Sequence, residues 1–104
     1  MEPQALWKFF SEIGAVPRAS KQEMRVAALV MAIGRQHGLE TMQDDKGNVL
    51  IRKPATAGMK NKKTVLLQGH LDMVHQKNAS TVFDFETQGI EMFVDGDWVR
   101  AKGT

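Results

Sequence analysis

A histidine and an aspartate two residues apart, in Gly69-His70-Leu71-Asp72, are the pair in this 104-residue chain whose types and spacing could do chemistry. In extended backbone, alternate side chains point the same way. His70 and Asp72 would then share a face. One imidazole nitrogen could bind a metal ion while the carboxylate accepts a hydrogen bond from the other, fixing the tautomer and raising the ligand's basicity. The spacing alone leaves a second role open, a histidine held by hydrogen bonds as part of the framework. The chain has no cysteine, which excludes a thiolate zinc ribbon, a disulfide scaffold and a cysteine nucleophile together.

The surrounding pattern says what must position this pair. Val65, Leu66 and Leu67 run without interruption into Gln68-Gly69-His70. An unbroken apolar run predicts a strand covered on both faces, as in a parallel or mixed sheet with helices packed on it. In open α/β sheets ligands gather just beyond the carboxyl ends of strands. Gly69 would let backbone or ligand approach closely.

Upstream, the spacing predicts two helices. In the first, Pro3 suits the opening turn. Leu6, Phe9, Phe10 and Ile13 recur at helical spacing toward a core, and Gly14 is the stop. The second opens on Ser20-Lys21-Gln22-Glu23, a capping box in which hydroxyl and carboxylate would each satisfy an orphan N–H. Val26, Leu29, Val30 and Ile33 form its apolar face, widened by Met24, Ala27, Ala28 and Met31. His37-Gly38 ends it, with His37 as a capping or surface residue.

Residues 39–43 and 49–52 predict a hairpin across the turn cluster 44–48. Residues 53–63 predict an exposed loop, and 76–89 are irregular apart from Val82, Phe83 and Phe85. Residues 90–101 alternate around Asp95-Gly96, a strong hairpin signal. The class is α/β: two helices, then strands, then a C-terminal hairpin.

These residues also carry a resemblance. VLLQGHLDMV, followed by Gln76-Lys77-Asn78, looks like the first metal motif of the co-catalytic zinc metallopeptidases that include aminoacylase and succinyl-diaminopimelate desuccinylase. GNVLIRKPATAGM, the stretch Thr81-Val82-Phe83-Asp84-Phe85 and the ending DGDWVRAKGT resemble more narrowly the aminoacyl-histidine dipeptidases. The resemblance covers essentially the whole chain. It implies a mixed-sheet zinc-exopeptidase catalytic domain that hydrolyses Xaa-His dipeptides through a metal-activated water. It implies His70 as a metal ligand and Asp72 as the catalytic-site residue that orients it. It implies two zinc ions, although one His and one Asp do not discriminate zinc from cobalt or manganese. Relatives usually carry proline where this chain has His75. That imidazole is read as a surface residue, a substrate contact being the other option.

The family's remaining metal motifs are an aspartate in a Gly-Ala-Asp-Asn-Gly-like segment, a Glu-Glu pair, a further aspartate and a late histidine. None occurs in these residues. Asp84, Glu86, Glu91, Asp95 and Asp97 do not match them. A catalytic zinc site takes about three protein ligands plus water. The expectation is therefore that residues 1–104 are the N-terminal part of a longer catalytic domain and inactive alone. The alternative is a non-catalytic binding or self-association module with a structural His70.

Composition bounds the rest. A content of 42% hydrophobic and 25% charged residues fits a globular chain rather than a disordered tail. No apolar run approaches the ~20 residues of a membrane span, and no secretory signal pattern opens the chain. The net charge of +2 and the short cluster Lys60-Asn61-Lys62-Lys63 do not make a nucleic-acid site. We expect a cytoplasmic protein with a small dipeptide substrate and no nucleic-acid or membrane partner. A homodimer of the full-length protein remains open, since family dimers form through a second domain.

Overall fold

The structure, a computed structural model, describes residues 2–104. Its elements in order are helix α1 (Gln4–Gly14), helix α2 (Met24–Gln36), strands β1 (Glu40–Gln43) and β2 (Val49–Arg52), and strands β3 (Met92–Asp95) and β4 (Trp98–Ala101). The sequence of helices, strands and C-terminal hairpin is the one expected. The strands form two separate antiparallel pairs, β1–β2 and β3–β4.

The core is small and centres on α2. Val26 is fully buried, and Ala27, Met31 and Gly34 are buried beside it. This face is turned from the expected one: Leu29, Val30 and Ile33 are half-buried, and Met24 is exposed. The reason is close packing of α2 on the β1–β2 hairpin. A Cβ added at Gly34 would lie 2.3 Å from Thr41 Oγ1 and 3.1 Å from Ile51 Cδ1. The missing side chain sets the contact line, and the larger residues flank it.

The turn between β1 and β2 is held by Asp44. Its Oδ1 accepts from the N–H groups of Lys46 (2.9 Å) and Asn48 (2.8 Å), and its Oδ2 accepts from Asn48 Nδ2 (2.8 Å). Such Asx bonding is why aspartate and asparagine favour turns. In the second hairpin Asp95 pairs with Trp98, so Gly96-Asp97 are the two turn residues. Gly96 has φ +59°, the glycine-first arrangement of a II′ turn.

Helix α1 docks on this second hairpin. Ile90 donates its N–H to the Gly14 carbonyl (2.8 Å), and a Cβ on Gly14 would meet Met92 Cε at 2.5 Å. Gly14 therefore serves close approach rather than chain reversal, and Ala15 is the cap in right-handed helical geometry. Phe9 and Ile13 are half-buried, but Leu6 and Phe10 are exposed, contrary to the expected core face. Leu6 and Phe10 keep about half of their surface in solvent, and Phe10 lies edge-on to Trp7 with ring centroids 5.6 Å apart.

Helix α2 ends as expected, with Gly38 at φ +66° and Leu39 donating to the Gly34 carbonyl (3.0 Å). His37 is exposed at its cap, edge-on to Phe9 with ring centroids 5.8 Å apart.

The expected covered strand is not present. Residues 65–67 belong to no ladder, and Val65, Leu66 and Leu67 are 76–90% exposed. A covered strand needs layers on both faces and a neighbour at its edge. Helix α2 packs on the first hairpin instead. The radius of gyration is 16.3 Å, against about 13 Å for a compact chain of 100 residues. Among the described residues, no helix is long and apolar enough to cross a membrane.

Candidate active site

His70 and Asp72 do meet. His70 Nδ1 lies 2.8 Å from Asp72 Oδ1. A carboxylate only accepts hydrogen bonds, so Nδ1 carries a proton, and in the neutral imidazole Nε2 then keeps the lone pair. The His70 side chain is 76% exposed and that of Asp72 33%. Both line an open cleft of about 620 Å³, with Gln68 and Gly69 beside them, Met24 and Ala27 on α2, and the turn of the first hairpin opposite. A Cβ at Gly69 would meet nothing within 4 Å, so the expected close approach at this glycine is not made among the described residues.

Among the described residues, no regular strand holds the pair. It is held by the segment before α2, through three hydrogen bonds. Met73 donates its N–H to the Arg18 carbonyl (2.8 Å), closing an isolated parallel bridge between Ala19 and Met73. Arg18 Nη1 donates to the Leu71 carbonyl (3.3 Å). Ser20 Oγ donates to Asp72 Oδ2 at 2.5 Å.

The last bond overturns the capping-box reading. Helix α2 begins at Met24 with Glu23 as N-cap and no side-chain cap bond. Glu23 Oε1 accepts from the Lys21 N–H (2.6 Å), and Lys21 takes φ +72°. Ser20 thus stands outside the helix. A charge-assisted bond to a carboxylate is stronger than one to a neutral backbone N–H, and the hydroxyl takes it.

The electrostatics follow from these bonds. The Ser20 hydroxyl first, and His70 second, hold the Asp72 carboxyl below its ordinary value, so it is ionised at neutral pH. Burial lowers the Arg18 guanidinium from its usual value, with the Asp72 charge acting against that. Arg18 Nε is buried and lacks a hydrogen-bond partner among the described residues.

The other sequence candidates lie elsewhere. His75 is exposed and edge-on to Phe85 with centroids 6.1 Å apart, and it does not line the cleft. Asp84 closes a local turn, accepting from Glu86 N–H (2.9 Å) and Thr87 Oγ1 (2.7 Å). Asp95 pairs with Arg100 at 3.2 Å, and Glu91 with Lys102 at 3.0 Å. No group of three or more His, Cys, Asp or Glu that could hold a metal ion is gathered among the described residues.

The arrangement is an imidazole oriented by an aspartate, as carboxylates orient metal-binding histidines in general. The chain resembles known dipeptidases over its whole length. It is 47% identical, over all 104 residues, to the cytosol non-specific dipeptidase of Escherichia coli (strain K12). It superposes with a TM-score of 0.95 on the crystal structure of aminoacylhistidine dipeptidase from Vibrio alginolyticus, at 46% identity and over its full length. The chain spans only 21% of each of these proteins. No protein-family model matches it.

Proposed function

We propose that residues 1–104 form the N-terminal part of the catalytic domain of a cytoplasmic metallodipeptidase, and that the full-length protein hydrolyses Xaa-His dipeptides. The observation that carries this reading is the His70–Asp72 contact, with Nδ1 engaged and Nε2 left for a metal ion. The donor set fits a metal in part. His70 would be one ligand and Asp72 its orienting partner, while a catalytic zinc takes about three protein ligands. The other ligands would come from outside these residues.

Zinc, or cobalt or manganese in its place, would supply carbonyl polarisation and a more acidic water when bound. The chain's own residues orient and anchor the imidazole. Asp72 keeps the proton on Nδ1 and holds the imidazole plane. Leu71 and Met73 anchor the segment through their backbone. The cleft wall on α2 limits solvent on one side.

The experiment is hydrolysis of a Xaa-His dipeptide by the full-length protein, with and without chelator, beside the 104-residue chain alone. Chelator-sensitive turnover by the former and none by the latter is expected. Parental activity in the short chain would sink the assignment of its missing ligands.

One observation favours a second reading, self-association with a structural His70: the exposed apolar run at residues 65–67. Against it, a framework histidine is enclosed and bonded at both nitrogens, whereas His70 is largely exposed with its one hydrogen bond, among the described residues, to Asp72.

A further inference from the structure

We infer that Ser20 is a positioning residue of this site, acting through Asp72 to set the tautomer and ring orientation of His70. The inference rests on the metal-ligand reading of His70 and deepens it. The geometry is a three-member relay. Ser20 Oγ donates to Asp72 Oδ2 at 2.5 Å, and Asp72 Oδ1 takes the Nδ1 proton of His70 at 2.8 Å. Each carboxylate oxygen has its own partner, so neither can leave without the other's bond being strained.

Rotation about the last aspartate torsion is otherwise broad and nearly two-fold. A carboxylate held only by His70 would rock about that bond and release the imidazole to its other tautomer. Proton on Nε2 would close the nitrogen that a metal needs. Residues that orient a metal-binding histidine in this way are worth roughly 10–100-fold in metal affinity.

Two features separate positioning from plain scaffolding. First, Ser20 has no duty in the helix, whose N-cap is Glu23. Second, the two segments are already joined without it, by the Met73 N–H to the Arg18 carbonyl and by Arg18 Nη1 to the Leu71 carbonyl. Removing the hydroxyl leaves those bonds in place. It removes only the bond on the carboxylate, with Ser20 and Asp72 both half-buried. The hydroxyl and the carboxylate are 52 residues apart in sequence, so local structure cannot supply the contact.

The test uses the full-length protein carrying this chain. Two quantities are read: Co²⁺ affinity by chelator competition with the visible absorption of the Co²⁺ form, and the tautomer of His70 from imidazole ¹⁵N shifts in the metal-free protein. Ser20→Ala should weaken Co²⁺ binding about tenfold and populate the Nε2–H tautomer. Ser20→Thr, which keeps the hydroxyl, should restore both. Ser20→Cys, near in volume but a weak donor, should behave as Ser20→Ala and covers the case in which the alanine variant packs poorly. Parental Co²⁺ affinity and an unchanged tautomer in both the alanine and cysteine variants would overturn the role of Ser20. Failure of the underlying reading looks different: His70→Ala would then bind Co²⁺ as the parent does.

Discussion

Two regions of this chain are built on opposite principles. Helix α2 and the β1–β2 hairpin form the tight part, with Val26 and Ala27 out of solvent and Gly34 pressed against Thr41 and Ile51. Residues 65–73 form the chemical part, with an exposed apolar run, no regular strand, and the His70–Asp72 pair. The first owes its order to packing. The second owes it to three bonds from residues 18–20. Stability and the proposed chemistry thus rest on different residues, and they can be perturbed separately.

The largest expected effect falls on the chemical part. His70→Ala in the full-length protein should lower kcat/KM on a Xaa-His dipeptide by on the order of 1000-fold. A metal's several kcal/mol of transition-state stabilisation converts at tenfold per 1.36 kcal/mol. Measured metal-free, its unfolding midpoint should stay at the parental value, since the His70 side chain is 76% exposed. A loss below tenfold would break the assignment of His70 as a ligand. Asp72→Asn comes next, with metal affinity down roughly 10–100-fold by chelator competition.

The tight part should answer in stability and not in the site. Val26→Ala removes methyls from a fully buried position and should cost about 2 kcal/mol in urea unfolding of the chain. Gly34→Ala should cost about 1–3 kcal/mol by overpacking against Thr41. Neither should change the His70 tautomer, and a changed ¹⁵N pattern would show that the two regions are coupled.

Acid should act on the first hairpin. The Asn48 side chain, more than any other group, holds the Asp44 carboxyl below its ordinary value. A carboxyl lowered in the folded state stabilises above its ordinary range, and that contribution is lost as pH falls through the lowered value. Amide exchange in β1–β2 should therefore quicken as pH drops below about 4, beyond the intrinsic trend, and Asp44→Asn should remove that dependence. Exchange that follows the intrinsic trend alone would count against it. The smallest effect is expected at Leu66→Ser, within about 0.5 kcal/mol in the 104-residue chain. A larger loss would mean that the run is covered and that the two regions share a core.

Much of this was legible in the chain. Asp44, Gly47 and Asn48 mark the first turn by the local bonds that those side chains make, and Gly96 marks the second. The spacing of His70 and Asp72 was enough to pair them. Three readings were not legible as they stand in the fold. The residues Ser20 and Glu23 satisfy a capping-box pattern, yet each found another partner. The apolar run at 65–67 has the composition of a covered strand, but composition does not say what covers it. The face of α2 turned toward Gly34 because glycine permits the nearest approach, a preference that a count of apolar residues misses.

The sequence by itself determined the hairpins, the stop of α2 and the pairing of His70 with Asp72, because turn bonding and alternation act over a few residues. Only the tertiary structure decided that Ser20 serves Asp72 rather than its own helix. A hydroxyl has one proton to donate, and whether a carboxylate 52 residues away claims it depends on where the chain brings that carboxylate.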